Sequence, residues 1–315
     1  MRAARAAVVR RVALAGCVAG SVLAWAPPGR AEGALEVCLD KAALAAPPKG
    51  EAETHGFDHA VARALARRLG RTLAVRWYET ETDRDDNPVS QVNALLSDGR
   101  CRLVLGQPLF AGAFGRPRAE RARLPDHDGA KPEDRRRWVK LGELAAGRGY
   151  RFDPLAVVLA PGVARREIRS LADLKDLRLV AEEGTLADAV LMMYGGGVLV
   201  GRITHVTPGR GLFEGMERGE YDATLVELHR LDDHRVRHPG TGLSWSGHAH
   251  SIGFNVGPVA LAGEAPLVAA VNAAIGEMLA QGELPALARA AGLTYLPPRE
   301  PNISGTITPA RLRGD

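Results

Sequence analysis

Between positions 35 and 106, apolar and polar residues follow two alternating patterns. Short apolar runs typical of buried strands are separated by stretches in which apolar residues recur every three to four positions, as they do on a helix. The predicted order is strand, helix, strand, helix, strand, over 35–39, 59–69, 73–78, 88–97 and 101–106. This alternation predicts a parallel sheet with crossover helices.

The pattern is lost between 109 and 149, where Arg, Gly, Pro and Asp dominate, and it resumes afterwards. We predict a long loop or insertion there, with one helix near 133–144. Two extended apolar stretches, 152–160 and 251–259, flank a second strand–helix unit. The remaining predicted elements are a short helix 171–175, a strand 177–181, a helix starting at Gly184-Thr185, a strand ending at Glu227, and helices 266–279 and 284–291.

This order predicts two α/β lobes joined by two extended crossings. The expected boundaries are a signal peptide 1–31, lobe 1 over 32–153 and 252–299, lobe 2 over 154–251, and an extended C-terminal tail 300–315. Lobes joined by a hinge enclose a cleft that can close on a ligand.

The N-terminus predicts export to the periplasm. Arg10-Arg11 precede an apolar run, 12–26, and a small-x-small pattern ends at Ala31, where we expect cleavage. The run is short for a membrane span, so we do not expect the mature chain to span a membrane. Because Leu14 to Cys17 also matches a lipoprotein cleavage box, lipidation at Cys17 is an alternative.

The composition and the motifs that are absent argue against two classes of function. The apolar share is 46%, the charged share 25% and the formal net charge +4, part of it in the leader, which argues against nucleic-acid binding. The chain contains no GxSxG, HExxH or phosphate-loop motif, so we expect neither catalysis nor a cofactor.

Two cysteines remain after the leader. Cys38 lies in the first predicted strand and Cys101 opens the third. In an oxidising compartment they form a disulfide if these strands are neighbours. A two-cysteine metal site is the alternative, although no CxxC or HxxH partner is present.

Four ordered segments resemble a known family. They are Gly56-Phe57-Asp58 with its helix to Leu69-Gly70, the stretch 171–185 (LADLKDLRLVAEEGT), the stretch 219–227 (GEYDATLVE) and the stretch 267–292. Together they cover most of 35–295 and resemble the type II periplasmic solute-binding proteins of extracellular solute-binding family 3, the amino-acid-binding group. The resemblance implies a two-lobed fold, a small-molecule ligand and an ABC permease as partner.

A narrower resemblance rests on the cysteine pair. Cys38 and Cys101, one in the first strand and one in the third, are similar to a subgroup associated with quinoprotein (PQQ) methanol and alcohol dehydrogenases. That resemblance implies a periplasmic quinoprotein dehydrogenase as an alternative partner. It also implies an accessory role or a role in supplying Ca²⁺ or a lanthanide.

The chain departs from the amino-acid binders at two places. The segment after strand one, 41–50 (KAALAAPPKG), contains no aromatic residue to stack on a ligand. The stretch 110–123 contains four Arg but lacks the Thr-x-x-Arg motif whose Arg clamps the α-carboxylate. An α-amino-acid ligand is therefore in question.

Five residues are candidate ligand contacts. Gly184 and Thr185, at a helix start, match the position that donates to a ligand carboxylate, and plain N-capping is the alternative. Glu227 matches the strand-end acid that holds a ligand ammonium, and a surface salt bridge is the alternative. Asp40 ends strand one and faces the same cleft. Arg116, with Arg118 and Arg121, either binds an anion or forms a solvated basic loop.

Metal binding is left undecided. The acidic run 79–86 and the patch 126–134 offer oxygens to a hard cation, but neither has EF-hand spacing, and solvated loop charge is the default. The histidines at 229, 234, 238, 248 and 250 include an HxH pair, which alone does not make a site.

The leading hypothesis is a non-catalytic periplasmic substrate-binding protein. The alternatives are a docking accessory of a periplasmic dehydrogenase that has lost solute binding, and a component that supplies Ca²⁺ or a lanthanide.

Overall fold

The computed structural model describes residues 33–41, 56–80, 87–134 and 137–315. The predicted signal peptide, Cys17, most of the segment 41–50 and the acidic run beyond Glu79 lie outside these ranges. Within them, no helix is long and apolar enough to cross a membrane.

The elements follow the predicted alternation. The strands are β1 (Ala34–Asp40), β2 (Thr72–Glu79), β3 (Leu103–Pro108), β4 (Arg121–Arg123), β5 (Asp126–His127), β6 (Trp138–Lys140), β7 (Leu144–Ala146), β8 (Arg151–Leu159), β9 (Leu179–Glu182), β10 (Ile203–Val206), β11 (Ala223–Glu227) and β12 (Ser244–Leu261). The helices are α1 (Phe57–Arg68), α2 (Pro88–Ser97), α3 (Leu186–Met193), α4 (Leu212–Glu217), α5 (Leu228–Arg237), α6 (Ala265–Ala280), α7 (Glu283–Ala290) and α8 (Pro309–Arg313).

One continuous sheet runs through the protein in the order β10-β9-β11-β8-β12-β3-β1-β2-β5. β1 is parallel to β2 and β3, and β9 is parallel to β10 and β11, as the crossover helices require. The two predicted crossings are β8 and β12, which pair with each other in antiparallel fashion at the centre. The two-lobed α/β architecture is therefore confirmed.

The register shows where the two halves of the sheet meet. β11 ends at Glu227, opposite Leu155 of β8, whereas β3 ends at Pro108, opposite Val256, which itself faces Arg151 of β8. Since β3 and β11 run in opposite directions, their carboxyl ends point at each other. The stretch 151–155 of β8, about 13 Å long, separates them. It forms the floor of the cleft.

Both faces of the sheet are buried. In β1, Leu35, Val37 and Leu39 pack in one apolar cluster with α1 and α6, while Cys38 faces another cluster under α2. Alternate residues of β8 divide in the same way. Leu155, Val157 and Leu159 face one apolar cluster of lobe 2, and Ala156 and Val158 face the other. Parallel strands covered by helices need such two-sided apolar character.

Cys38 and Cys101 form a disulfide with an S–S distance of 2.01 Å. Cys38 pairs with Val104 across the ladder of β1 and β3, so the two strands are neighbours. The expected disulfide is confirmed, and the metal-site alternative for this pair is excluded.

The helix predicted near 133–144 is wrong. β6 and β7 lie there instead, because Trp138-Val139-Lys140 alternates exposed, buried, exposed with the period of a strand. Gly142 then approaches β12 so closely that a Cβ atom would lie 2.9 Å from the Leu261 side chain. The stretch 109–149 is accordingly a set of short strands rather than one long loop.

The tail is extended only in part, since α8 forms within it. Thr308 caps this helix by accepting from the Arg311 N–H at 3.4 Å, and Pro309 occupies its first position, where the missing N–H is not needed. We call residues 297–315 the C-terminal strap.

The strap is tied to both halves of the molecule. The buried Asn255 side chain donates to the carbonyls of Arg299 and Asn302 at 2.6 and 3.0 Å and accepts from the Arg299 N–H. Ser304 exchanges backbone hydrogen bonds with Leu109 and Ala111, after β3. At the far end, the Asp315 carboxylate accepts from the Leu171 N–H at 2.8 Å and from the Tyr194 hydroxyl at 3.2 Å.

We expect loss of the disulfide to destabilise the protein strongly. The Cys38→Ala/Cys101→Ala variant should lose about 4 kcal/mol of unfolding free energy, because the bond closes a loop of 63 residues in the unfolded chain. Urea titration followed by circular dichroism measures this. Added reductant should lower the wild type to the level of the variant, and equal stability of oxidised and reduced wild type would contradict the prediction.

Candidate functional site

Lobe 1 contributes a pocket at the carboxyl ends of β1, β2 and β3. Its lining consists of Leu39, Asp40, Gly56, Asp58, His59, Trp77, Leu105 and Gly106. Asp40 reaches it because it is the last residue of β1, and Asp58 because α1 begins beside the strand ends. An acidic residue in the first turn is favoured by the helix dipole, so Asp58 also supports the start of α1.

A short hydrogen-bond chain fixes Asp58. The Tyr150 hydroxyl donates to Asp58 Oδ1 at 2.7 Å and accepts from the Gly106 N–H at 2.7 Å. Burial raises the pKa of Tyr150 well above its ordinary value, so the hydroxyl stays protonated as a donor. Gly106 has φ of +80°, and a Cβ atom there would lie 2.8 Å from Asp58 Oδ2. The position therefore requires glycine.

Trp77 supplies an aromatic surface that the sequence analysis did not anticipate. Its ring stacks on His59 with centroids 6.0 Å apart and lines the same pocket as Asp40 and Asp58. The available signal was its place at the carboxyl end of the second strand, next to the end of the first. A ligand cation between two carboxylates and an indole is an arrangement that cation–π attraction favours.

A buried ionic cluster forms the cleft floor. Arg151 Nη1 lies 3.3 Å from Asp153 Oδ2, and His229 Nδ1 lies 2.5 Å from the same oxygen. The His229 N–H also donates to Asp153 Oδ1 at 3.2 Å, which fixes the start of α5 on β8. Arg151 Nε is buried without a hydrogen-bond partner among the described residues. The cluster therefore joins a crossing strand to lobe 2 and retains an unused donor.

The cluster shifts the pKa values of its members. Burial alone would raise the pKa of Asp153, but the charges of His229 and Arg151 outweigh it and hold that pKa far below its ordinary value. Burial would lower the pKa of His229, and the Asp153 carboxylate instead raises it. One helical turn on, burial raises the pKa of Asp233 to about 6. His229 therefore keeps its proton to higher pH than an ordinary histidine, and Asp233 keeps its proton to higher pH than an ordinary aspartate.

On the lobe 2 side of the cleft, a second ion pair joins the end of β9 to α5. Glu182, the last residue of β9, accepts from both terminal nitrogens of Arg230, with Nη2 at 2.7 Å from Oε1. It also accepts from the Gly209 N–H at 2.8 Å. Bidentate pairing of this kind holds Arg230, one turn into α5, against the end of β9. Both residues were missed, because a strand-end Glu and a helix Arg are not distinctive in sequence.

Four of the five predicted ligand contacts lie at strand ends that border the cleft, three of them in lobe 2 and Asp40 in lobe 1. Thr185 Oγ1 accepts from the Asp188 N–H at 3.2 Å and donates to the Glu182 carbonyl, and the Gly184 N–H donates to Asp188. These bonds are those of an N-cap. Glu227 ends β11 and Asp40 ends β1. A ligand role for these residues stays a prediction.

Arg116 is not brought to the cleft. Its neighbour Gly115 forms a bridge with Leu144, which pairs with Leu261 at the end of β12, five residues beyond Val256. The loop after β3 therefore turns back along the sheet and carries Arg116 away from the strand ends. Its side chain is exposed, as expected of a solvated basic loop.

The candidate metal ligands do not converge in the described ranges. No group of three or more His, Cys, Asp or Glu side chains there has the geometry to hold a metal ion. Both ring nitrogens of His250 already have partners, because Nδ1 accepts from the Ile252 N–H and Nε2 is hydrogen-bonded to the Gly314 carbonyl. His234 Nε2 lies 3.0 Å from Glu217 Oε1. In the acidic patch, Asp134 forms an ion pair with Arg100.

Comparison with known proteins identifies the fold. No protein-family model matches the chain, and no curated protein matches it. The unliganded, open L-cystine solute receptor of Neisseria gonorrhoeae is 20% identical, with a TM-score of 0.57 over 85% of this chain and 96% of that chain. The second substrate-binding domain of Lactococcus lactis GlnP, also open, is 15% identical, with a TM-score of 0.57 over 84% and 96%. An ancestral cationic amino-acid solute-binding protein is 17% identical, with a TM-score of 0.54 over 82% and 94%.

These similarities show that the chain has the two-lobed α/β fold of periplasmic solute-binding proteins. At such low identity they show the fold alone.

We expect the ionic cluster to make stability depend on pH. Because the pKa of His229 is raised in the folded state, its stabilising contribution is complete below its unfolded value of about 6.5 and is lost as the pH rises through the folded value. The unfolding free energy should therefore fall with rising pH in that window, and His229→Gln should flatten the slope. Urea titrations between pH 5 and 9 measure it.

Asp153→Asn tests the same cluster from the other side. It should remove the part of the slope that His229 causes and lower stability by about 3 kcal/mol, since it leaves the buried Arg151 without its carboxylate. Asp176→Asn, at an exposed carboxylate, is the matched control and should keep the wild-type slope. A His229→Gln protein with an unchanged slope would exclude His229 as its source.

Proposed function

We propose that this protein is an exported receptor that binds a small solute between its lobes without converting it and presents it to an ABC permease. One observation carries the proposal: the carboxyl ends of both half-sheets face each other across the stretch 151–155 of β8. Ligands of open α/β sheets bind at such strand ends. The fold of the open solute receptors described above supports it.

The charges at the cleft favour a ligand with a cationic nitrogen. Asp40 and Asp58 line one pocket together with Trp77, and Glu227 ends the facing strand. We assign the ammonium of the ligand to the lobe 1 pocket, with Glu227 and the Gly184-Thr185 turn facing it from lobe 2. Arg116 has no part in this site. The Thr-x-x-Arg motif, whose Arg would clamp a ligand carboxylate, is missing, so the proposed ligand needs a cationic nitrogen but no carboxylate.

A second candidate function is that of a docking accessory in which the lobes do not close. The cysteine pair, which is similar to that of a subgroup associated with quinoprotein dehydrogenases, suggests such a dehydrogenase as the partner. The C-terminal strap favours it, because the strap joins the segment after β3 to Leu171 and Tyr194 of lobe 2. A segment bonded to both lobes opposes a change in the angle between them. The role in supplying Ca²⁺ or a lanthanide has no support from the described residues.

Thermal denaturation with a ligand panel separates the two candidates. L-arginine, L-cystine, L-glutamine and agmatine, an amine without a carboxylate, form the panel. A ligand at a hundredfold excess over its Kd adds about 2.7 kcal/mol, which raises the Tm by roughly 5 °C or more in a chain of this size. We expect a cationic member to produce this shift in the wild type.

Asp58→Asn should abolish the shift, and Asp176→Asn, an exposed carboxylate outside the cleft, should retain it. No shift from any cationic member in the wild type would contradict a receptor for cationic solutes. If Asp58→Asn shifts as much as the wild type, the ligand does not bind in the lobe 1 pocket.

The strap itself can be released by one substitution. Asn255→Ala removes the three hydrogen bonds that hold Arg299 and Asn302, and we expect a loss of about 3 kcal/mol because each such bond contributes about 1 kcal/mol. If the strap fixes the lobes, the variant should also show a larger radius of gyration in small-angle X-ray scattering.

Asn87→Ala is the control, since Asn87 caps α2 by accepting from the Ser90 N–H at 2.9 Å. It should cost about 1 kcal/mol without a change in the radius. An unchanged radius in a folded Asn255→Ala protein would show that the strap does not set the lobe angle.

A further inference from the structure

The two-stranded sheet of β4 and β6 lies outside the main sheet and has two unlike faces. Ala122 and Val139 point inward and pack in the apolar cluster under α2. The four outward positions are all cationic or aromatic. We call them the basic face: Arg121, Arg123, Trp138 and Lys140.

The pairing within the basic face works against local stability. Arg121 lies directly opposite Lys140 in the ladder, and like charges at directly opposed positions destabilise a sheet. Among the described residues, no carboxylate lies within ion-pair distance of either side chain. A sheet of three residues per strand gains little from its own hydrogen bonds, so this repulsion is not explained by the stability of the sheet.

Trp138 adds an exposed aromatic surface to the basic face, opposite Arg123 in the ladder. It is 52% exposed, and the Arg123 guanidinium lies 5.0 Å from the centre of its ring. This cation–π contact holds the indole beside the Arg123 guanidinium. Trp and Arg are the residues most enriched among those that dominate protein–protein binding energies.

The basic face rests on a rigid support. The cluster beneath Ala122 and Val139 also contains the disulfide-bonded Cys38 and Cys101. A surface that is already ordered loses little conformational entropy on binding. This arrangement suits a docking site more than an adaptable loop.

We propose that the basic face is the docking site for an acidic protein partner, one that presents clustered Asp and Glu side chains. Carboxylates placed opposite Arg121 and Lys140 would remove their repulsion, and an apolar contact would cover the free edge of Trp138. A membrane is a poorer fit, because interfacial binding needs several apolar side chains that insert, whereas this face has one, stacked with a guanidinium. A nucleic acid is also a poorer fit, since three cations fall short of the six to ten or so phosphate contacts typical of such sites.

The test uses fluorescein-labelled deca-glutamate as the probe and fluorescence anisotropy at low salt as the measurement. We expect the double variant Arg121→Glu/Lys140→Glu to bind at least about tenfold more weakly than the wild type. Trp138→Ala should weaken binding about threefold while every charge remains. The control is Arg165→Glu/Lys175→Glu, which makes the same charge change at exposed positions of lobe 2 and should bind like the wild type.

Folding of each variant is checked by its Tm. The single variant Arg121→Glu replaces a repulsive pair with an attractive one, so its Tm should not fall. Equal binding by the double variant and the control would overturn the proposal. It would also be overturned if phosphatidylglycerol vesicles or a ten-nucleotide single strand bound the wild type more tightly than the peptide and lost that binding in the double variant.

Discussion

The antiparallel pairing of β8 with β12 is the constraint on which the rest of the structure depends. These two strands carry the chain between the lobes, and their register determines that β3 and β11 end facing each other. Asp153 then sits at the crossing, where an isolated carboxylate would be costly to bury. Arg151 and His229 make its ionised form stable there. The ion cluster is therefore both the floor of the cleft and the bond between β8 and the first turn of α5.

Two features of the same crossing have opposite effects on lobe motion. β8 and β12 connect the lobes, and a joint of two strands can act as a hinge, whereas Asn255 of β12 holds the strap across them. The strap ends at Leu171 and Tyr194, close to the helix that begins after Gly184-Thr185. A change in the lobe angle must therefore strain the strap or release one of its ends.

The order of elements was predictable because local period and global fold agree in most of the chain. α2 begins at Pro88 after an Asn cap and ends at Ser97, as its pattern predicts. The stretch 133–144 was misread as a helix because the strand within it, β6, has only three residues, and an alternation that short is not distinctive in a sequence. Asn255 was missed for another reason: its partners Arg299 and Asn302 belong to a tail that no local pattern places against β12. The positions of Asp40 and Glu227 at strand ends were predictable because each closes a short apolar run, while their ligand role stays a prediction.

The pocket and the basic face share one support, which limits how they can influence each other. Cys38 lies two residues before Asp40 on β1, and its disulfide partner precedes β3, which carries Gly106 into the pocket. The same cluster lies beneath Ala122 and Val139. Interiors this tightly packed move between discrete arrangements and do not deform gradually. A partner bound at the basic face would therefore leave the pocket geometry unchanged unless it shifted β1 as a unit, so docking and solute binding are expected to be compatible on one molecule.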